Sequence, residues 1–402
     1  MALGLTLLAG CGLQRHSSLF LYEVVSSEAL SVVNRAELAK LWAPLLNSYS
    51  QIDPGMKLEI MMFSEERITE ELRRRQARGL GPDLIVISGV MANDLYAKGL
   101  VRRVTLPPYL EQALEPEVLG RVRVPGGYSA LPVARAPEVS CFNRARMPRP
   151  PETLAELLSQ AAAGRHVGLS LSPLGIWWSS GSLGADEALA RLLTRRPGDT
   201  TPVAEADRRA IEGWLRWLHH AAMQNRVNFF NDAQDVNEGF LAGHLDWIPC
   251  SSLSLKRLRD GLGDRLGVAP LPTGPGGPPS TASQVRVVAF GLNSSPLQRR
   301  KAMDLVLLSL NPLVQRALSL SDAEVVPVNR YAPPPVASSA TLKALVRSQS
   351  YVKSDALQSL ALSSSDMRRI SLVIERVLTP LVVGLGSTRQ ATEQLIEELP
   401  PR

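Results

Sequence analysis

The first hundred residues alternate between short apolar runs and longer segments with apolar residues at helical spacing. Three apolar runs predict buried strands, at 19–25 (LFLYEVV), 57–63 (KLEIMMF) and 82–88 (PDLIVIS). The segments beside them predict helices over 35–49, 64–79 and 91–99. Because the strands show no alternation of apolar and polar residues, they are typical of a parallel sheet covered on both faces, which indicates an α/β fold.

A second α/β region follows an extended run from Ala130 to Phe142 that crosses Pro137. Its pattern predicts a strand at 166–172, an amphipathic helix at 204–224, a strand at 285–293 and a helix at 295–310. The Pro- and Gly-rich segment 271–284 (LPTGPGGPPSTASQ) predicts a flexible connection. From Thr341 onward the pattern again favours helices.

Small polar residues follow the three predicted strands of the first region. Ligands of open α/β sheets bind beyond the carboxyl ends of the strands. The candidate ligand contacts at these ends are Ser26, Ser27, Ser64, Ser88, Gly89 and Asn93. The same residue types are favoured in turns and helix caps, and Ser64 with Glu65 and Glu66 has the character of a capping-box start, so a purely structural role stays open.

Composition narrows the class of partner. The 402 residues carry a net charge of +6 from scattered basic residues, and aromatic residues make up only 5%. The densest basic run, Arg73 to Arg78, lies on a helical pattern and is expected to be a solvated helix face. No nucleic-acid-binding motif accompanies it, so no nucleic-acid partner is expected.

The three cysteines are Cys11, Cys141 and Cys250. Cys141 and Cys250 lie in apolar stretches, and two distant cysteines cannot be paired from sequence, so both are expected to be buried free thiols. No Cys/His spacing suggests zinc, and neither a metal nor a cofactor is expected. His219 and His220 point to different faces of their predicted helix, as neighbours on a helix do.

Motifs of catalysis are missing from the sequence. It contains no G-x-S-x-G elbow, H-E-x-x-H pair, Walker loop or G-x-G-x-x-G turn. The paired carboxylates Glu65–Glu66 and Glu70–Glu71 fall on one predicted helix face, where solvation explains them. We therefore expect a protein that is not an enzyme, although a pair of glycosidase carboxylates has no sequence signature that would reveal it.

The chain opens with an apolar run from Ala2 to Gly10, followed by Cys11. This run is too short to span a bilayer, which needs about 20 apolar residues, but it suits the centre of a secretory signal. No Lys or Arg precedes it, although export signals carry positive charge there. Cys11 is therefore either buried or the first residue of an anchored protein.

Several stretches together resemble the extracellular solute-binding proteins of ABC importers, family 1, the group that includes maltose-binding protein. The stretches that carry the likeness are GPDLIVISGVMANDLYAKGLVRRV, YSALPVARAPEVSCFNRARMPRPPETLAELL, EGFLAGHLDWIPCSS, DRLGVAPLPTGPGG, VVAFGLNSSPLQRRKAMDLVLLSL and RVLTPLVVGLGSTRQATEQLIEEL. The likeness covers most of residues 19–397. Each motif is weak by itself, and their common order makes the resemblance specific.

The resemblance implies a periplasmic binding protein type II-like fold, with two α/β lobes, a hinge and an interlobe cleft. The expected division is 1–18 as signal, lipobox and tether, 19–134 plus 287–328 as lobe 1, and 135–286 plus 329–402 as lobe 2. Chain crossings between the lobes are expected around Ala134–Pro137, Thr281–Arg286 and Pro327–Tyr331.

The resemblance also implies a cellular setting. Leu8-Ala9-Gly10-Cys11 resembles a bacterial lipoprotein box, in which Cys11 is lipidated and becomes the first residue. The expected protein is a monomer, lipid-anchored in the periplasm or on the outer face of the cytoplasmic membrane. Its expected partners are a small-molecule ligand and an ABC permease of the inner membrane.

A sugar, oligosaccharide or glycoside is the expected ligand, because such sites combine flat aromatic faces with hydrogen-bonding side chains. Trp177 and Trp178 (SPLGIWWSSGS) match a strand-end loop of the second lobe where the family often stacks an aromatic ring, and one of them is expected to face the cleft. Phe229 and Phe230 could line its mouth. For each aromatic pair, a place in the core is the alternative.

Other positions depart from the family. Ala136 stands where the family often has a polar or acidic residue, and Ser251 and Ser252 stand where it often has Gly-Pro before a Trp. Arg135 and Arg286 could together favour an anionic ligand, or they could pair with glutamates.

Two other functions fit the same sequence as well as the importer component. A ligand-binding sensor lipoprotein shares every feature described so far, and an adjacent kinase gene rather than permease genes would favour it. A hydrolase of the cell envelope is the remaining alternative.

Overall fold

The computed structural model describes residues 17–25, 35–196, 198–281, 284–321, 325–351 and 364–400. The expected ligand residues Ser26 and Ser27 and the expected lipidation site Cys11 lie outside the described residues. Within those ranges no helix is long and apolar enough to cross a membrane.

Two five-stranded sheets organise the chain. Sheet one has the strand order β2-β1-β3-β12-β6, and sheet two has the order β11-β7-β10-β8-β9. The strands are β1 Ser17–Val25, β2 Met56–Ser64, β3 Leu84–Ser88, β4 Arg123–Val124, β5 Gly127–Tyr128, β6 Leu131–Ala136, β7 Glu138–Asn143, β8 Val167–Ser170, β9 Val227–Phe230, β10 Trp247–Ser251, β11 Leu266–Ala269 and β12 Gln284–Phe290. Strands β4 and β5 form a separate hairpin.

Helices cover both sheets. They are α1 Arg35–Ser50, α2 Glu65–Gln76, α3 Gly89–Ala97, α4 Pro108–Ala113, α5 Pro116–Gly120, α6 Leu154–Ala162, α7 Pro173–Ser182, α8 Asp186–Leu193, α9 Glu205–Ala222, α10 Ala233–Leu241, α11 Leu255–Leu262, α12 Pro296–Ser309, α13 Pro312–Ser319, α14 Ala340–Ser350, α15 Ser364–Val382 and α16 Thr388–Glu398. Short 3₁₀ turns occupy Ser252–Ser254 and Gly263–Arg265.

The parallel sheet predicted from the first hundred residues is confirmed. Strand β1 lies between β2 and β3 and is parallel to both. The apolar residues of β3 are buried on both of its faces, as the missing alternation of the sequence predicts. Strands β12 and β6 then extend the sheet, with β12 antiparallel to both β3 and β6.

The two sheets adjoin at Pro137. This residue separates Ala136, the last residue of β6 in sheet one, from Glu138, the first residue of β7 in sheet two. Two further segments lie beside this crossing. Gln284 of β12 pairs with Ala136, and the backbone of Val326 pairs with that of Arg135.

Gln315 holds the segment around residues 326–328 against strand β6. Its buried amide donates to the carbonyl of Val133 (2.8 Å) and accepts from the backbone N–H of Val328 (2.9 Å). Because both bonds go to backbone groups of different segments, the side chain fixes their spacing.

Cys141 and Cys250 are joined by a disulfide, so the expectation of two free thiols is wrong. They lie on the neighbouring antiparallel strands β7 and β10, with 5.9 Å between their Cα atoms. The sequence places them 109 residues apart, and only the pairing of the two strands brings them together. Both residues are nevertheless buried in an apolar cluster, as expected.

Candidate functional site

The candidate site is built from the adjoining carboxyl edges of the two sheets. Strands β2 and β3 end at Ser64 and Ser88 on the carboxyl edge of sheet one. Strands β8, β9 and β10 end at Ser170, Phe230 and Ser251 on the carboxyl edge of sheet two. The two edges meet at Pro137, whose carbonyl accepts the backbone N–H of Ser252 (3.0 Å).

Helices begin at both edges. Helices α2 and α3 start directly after Ser64 and Ser88, and α7 starts at Pro173, shortly after Ser170. Their first backbone N–H groups have no partner within the helix, so the edges are rich in hydrogen-bond donors. Helix α15 approaches both α3 and α7, and it therefore joins the two sides of the site.

A buried ion pair lies at the edge of sheet one. The Arg286 guanidinium donates through Nη2 to Oε1 of Glu23, and both of its Nη atoms lie 3.3 Å from the carbonyl oxygen of Val24. The two side chains are only 13% and 10% exposed. The pair spans strand β3, because Glu23 is on β1 and Arg286 is on β12.

Burial dominates the titration of Glu23. It raises the pKa of this carboxyl above its usual range. The charge of Arg286 and the hydrogen bonds that the Arg286 and Trp42 side chains donate act in the opposite direction. Atom Oε2 of Glu23 is buried. Sequence reasoning missed Glu23 because a single charged residue inside an apolar strand carries no motif.

Arg286 therefore pairs with a glutamate, which the sequence analysis gave as the alternative to binding an anionic ligand. Arg135 does not join it. Arg135 lies opposite Val285 in the β6–β12 pair, so its side chain and that of the next residue, Arg286, are on opposite faces of the sheet. Its guanidinium instead donates to the carbonyl of Pro327 (2.8 and 3.1 Å). The expectation that the two arginines converge on one anionic ligand is wrong.

Ser88, Gly89 and Asn93 have structural contacts at the start of α3. Ser88 Oγ accepts the backbone N–H of Met91 (3.3 Å), which is a helix cap. Asn93 donates to the carbonyl of Arg121 (2.7 Å) and accepts from the hydroxyl of Ser129 (2.6 Å). Gly89 is buried, and a side chain there would only touch its neighbours.

Ser64 is buried at the end of β2, and its side chain makes no cap hydrogen bond to α2. The capping-box interpretation of this residue is therefore wrong. A complete capping box forms instead at Ser295 and Gln298, at the start of α12.

Ser251 and Ser252 end the central strand of sheet two. Ser251 Oγ accepts the backbone N–H of Leu253 (3.3 Å). The Ser252 hydroxyl is buried, and no described group bonds to it. Ser251 lies opposite Glu138 in the β7–β10 pair, so both serines adjoin the crossing at Pro137.

Trp177 and Trp178 lie in helix α7 rather than in a strand-end loop, and both are core residues. Trp178 has no exposed surface, and its ring packs edge-on against Trp217 and Trp247, with centroids 6.5 and 6.0 Å away. Trp177 is 6% exposed and packs in the cluster between α7, α8, α9 and α15. The expectation that one of them presents an open face to the ligand is corrected by this packing.

Half-buried aromatic rings do lie near both edges. Phe229 and Phe230 are in β9, whose carboxyl end is at the edge of sheet two, and each packs partly on a core cluster. Trp42 of α1 packs partly on the core of sheet one, beside Glu23. These rings are the aromatic candidates that remain for the site.

Two surface pockets lie away from the edges. They have volumes of about 280 and 430 Å³. The smaller is lined by Pro108, Glu111, Gln112, Pro116, Leu119 and Arg123, and the larger includes Arg195, Arg196, Asp199, Thr201, Ile396 and Glu397. Within the described ranges no group of three or more His, Cys, Asp or Glu side chains could hold a metal ion.

No protein-family model and no curated protein sequence matches the chain. Solved structures, however, match the chain over most of its length. A cyclo/maltodextrin-binding protein in complex with maltotetraose superposes with a TM-score of 0.71 at 15% identity, covering 95% of this chain and 96% of that one. The GacH receptor of Streptomyces glaucescens, solved unliganded and with acarbose, has the same TM-score and identity over 95% and 97%. The chain has the fold of a two-lobed, type II periplasmic binding protein.

In a type II binding fold the two lobes face each other across a cleft. In this chain the carboxyl edges of sheets one and two adjoin at Pro137. Among the residues expected from sequence, the structure brings Ser64, Ser88 and Arg286 to one edge and Ser251 and Ser252 to the other. Trp177 and Trp178 lie in the core instead.

Proposed function

We propose that the chain is the solute-binding component of an ABC importer, which captures a sugar, oligosaccharide or glycoside between its two lobes for delivery to a permease. One observation carries the proposal. The two sheets turn their carboxyl edges toward one crossing, in a fold shared over 95% of the chain with one protein bound to maltotetraose and another bound to acarbose.

The site supports binding without reaction. The edges offer helix N-termini and serine hydroxyls, which suit a polar ligand rich in hydrogen-bonding groups. The buried carboxylate at the edge of sheet one, that of Glu23, is held in an ion pair with Arg286. The protein we propose is therefore a binder and not an enzyme.

We also propose the lobe boundaries and the location implied by the sequence. Lobe 1 comprises 19–134 plus 287–328, and lobe 2 comprises 135–286 plus 329–402. The protein is a monomer, exported and lipid-anchored at Cys11 in the periplasm or on the outer face of the cytoplasmic membrane. The Cys141–Cys250 disulfide supports export, because disulfides persist in oxidising compartments.

A panel of ligands tests the proposal by thermal shift. The panel contains oligosaccharides, glycosides and glycerol phosphates, each incubated with the purified chain. A ligand at 100 times its Kd stabilises the folded state by about 2.7 kcal/mol, so a true ligand raises the Tm by a few degrees. Chromatography of the recovered ligand checks that it is unchanged. A panel in which no member raises the Tm, or in which a member is converted to product, overturns the proposal.

A further inference from the structure

The amino edge of sheet one lies at the opposite end of its strands from the candidate site. Strand β1 begins there at Ser17, which pairs with Met56 at the start of β2. Ser17 comes six residues after Cys11, and six residues reach at most about 20 Å in any conformation. A lipid on Cys11 would therefore keep this edge within about 20 Å of the membrane surface.

Three segments meet at this edge: the loop after α2, the segment after α3 and the loop between β12 and α12. The backbone N–H of Gly81 donates to Oδ1 of Asn293 (3.2 Å). Nη2 of Arg102 donates to the carbonyl of Leu292 (3.0 Å). Because these bonds join segments that are distant in sequence, the end of α2 and the start of α12 form parts of one surface.

This surface carries positive charge that the protein leaves unmatched. Arg78 and Arg300 are exposed, and Arg299 is half-buried. Among the described residues, no carboxylate forms an ion pair with any of these three arginines. The neighbouring basic side chains are already paired with carboxylates, in the pairs Arg74–Glu71, Lys98–Asp94 and Lys301–Asp53. The three arginines can therefore bind an external anion without breaking a bond within the protein.

Two of these arginines stand where they weaken their own helix. Helix α12 begins at Pro296 and has no acidic residue in its first turn, and Arg299 and Arg300 follow directly. The start of a helix carries a partial positive charge, which favours acidic side chains and disfavours basic ones. The arrangement therefore lowers the stability of the helix and strengthens the attraction for an external anion.

Exposed apolar side chains lie next to these arginines in the sequence. Leu80 is 64% exposed and follows Arg78 by two positions, and Leu297 is 55% exposed and precedes Arg299 by two. Surfaces that bind anionic membranes combine both features, because apolar side chains enter the headgroup region while basic ones attract the lipid charges. The pattern therefore fits an anionic lipid surface better than a soluble anion.

We propose that this surface, the basic edge of Arg78, Leu80, Leu297, Arg299 and Arg300, lies on the anionic phospholipid headgroups of the membrane that holds the lipid on Cys11. The inference rests on the lipid anchor of the proposed function and adds an orientation to it. Strand β1 has nine residues and is about 30 Å long. The carboxyl edge with the candidate site therefore points away from the membrane and stays open to solutes.

Cosedimentation with lipid vesicles tests the inference on the full chain with Cys11→Ser, which cannot be lipidated. One set of vesicles contains equal parts of phosphatidylglycerol and phosphatidylcholine, and the other contains phosphatidylcholine alone. We expect this parent protein to bind the anionic set more strongly at low salt. The difference should vanish in about 1 M salt, where charges are screened beyond about 3 Å.

The decisive variant adds Arg78→Ala, Arg299→Ala and Arg300→Ala to this parent. Its binding to anionic vesicles should weaken by about a hundredfold, since each basic residue near such a surface contributes about fivefold. Lysine at the same three positions should restore most of the binding, because the attraction needs the charge and not the guanidinium fork. The affinity for a ligand from the thermal-shift panel should not change in either variant.

The matched control removes the same charge from the part of the molecule around sheet two. It carries Arg149→Ala, Arg196→Ala and Arg389→Ala, three exposed arginines, and should bind anionic vesicles like the parent. Equal weakening in the two alanine variants would show a general effect of net charge. Equal binding of the parent to both sets of vesicles would show that charge plays no part. Either result overturns the inference.

The two proposals fail separately in these measurements. A parent that binds a ligand of the thermal-shift panel but does not prefer anionic vesicles overturns the inference and leaves ligand capture intact. A parent that binds anionic vesicles through the basic edge but no member of the panel overturns ligand capture and supports the membrane surface.

Discussion

At the scale of single residues, Trp178 shows how packing decides a role that residue type leaves open. Its ring is enclosed by Trp217, Trp247 and the apolar side chains of the same cluster. Its Nε1 is buried and makes no hydrogen bond to a described group. The residue therefore stabilises the fold through apolar burial and ring contacts. Its buried, unpaired N–H group lowers this gain.

We expect Trp178→Ala to lower the free energy of unfolding by about 3–5 kcal/mol, as for other large aromatic residues in cores. Trp178→Phe should cost much less, because it keeps a ring and removes the unpaired N–H. Denaturant titration of both variants measures the difference. A Trp178→Ala protein that keeps wild-type stability but binds ligand more weakly would show that Trp178 contacts the ligand and is not a core residue.

Tyr49 links stability to alkaline pH. Burial, together with the nearby charges of Asp304 and Asp53, raises the pKa of its hydroxyl from 10.0 to about 12. Between these two values the unfolded chain ionises the tyrosine and the folded protein does not. The stabilisation is therefore fully present below pH 10 and is lost as the pH rises to about 12.

This loss should amount to about 2–3 kcal/mol for a shift of about two units. Tm measured from pH 9 to 12 should fall less steeply in Tyr49→Phe than in the wild type. Tyr109→Phe, which changes a tyrosine that is 66% exposed, is the control and should follow the wild-type curve. Identical curves for all three proteins contradict the assignment.

The type of a residue and its place relative to an apolar run predict some positions of the site and miss others. Ser88 and Ser251 follow apolar runs, and the end of a run can be read from the sequence. Glu23 lies inside such a run and becomes a candidate only when β12 brings Arg286 beside it, 263 residues along the chain. Long-range pairing of this kind leaves no local pattern.

At the scale of elements, the Cys141–Cys250 disulfide links strands β7 and β10 in the middle of sheet two. The disulfide joins neighbouring strands whose carboxyl and amino ends form the edge of the site at Ser251 and Glu138. Linking residues 109 positions apart restricts the unfolded chain strongly, and this restriction is the main source of disulfide stabilisation in the chain-entropy account.

Reduction, or the double substitution Cys141→Ala with Cys250→Ala, should lower the free energy of unfolding by about 2–5 kcal/mol. Denaturant titration with and without a reductant measures it, and the reductant should have no effect on the double variant. Free thiols found at both Cys141 and Cys250 in the unfolded, unreduced wild-type protein would show that the bridge is not formed.

The elements themselves follow from the sequence where the apolar pattern is long and regular. Helix α9 was expected over 204–224 and spans Glu205–Ala222, and strand β12 was expected over 285–293 and spans Gln284–Phe290. Helix α7 was mistaken for a loop because its residues, including Gly175, Ser179, Ser180 and Gly181, are weak helix formers. Its helical form depends on burial, since almost every residue in it is enclosed.

At the scale of the whole molecule, the chain leaves one sheet for the other at Pro137 and returns through β12. The sequence indicates this organisation because the order of its segments matches that of known two-lobed proteins, and the structure confirms the fold at a TM-score of 0.71. The direction of side chains at the crossing could not be predicted. The β6–β12 pairing alone shows that Arg135 and Arg286 face opposite ways.

The central claim is that one ligand is held by both sheet edges at once. Hydrogen–deuterium exchange of the full chain, with and without a ligand from the thermal-shift panel, tests it most directly. Bound ligand should slow exchange together at residues 88–93, beside the edge of sheet one, and at residues 251–254, beside the edge of sheet two. The helix 205–222 should exchange as before. Slowed exchange on one lobe only, or only around the surface pockets, would contradict the account.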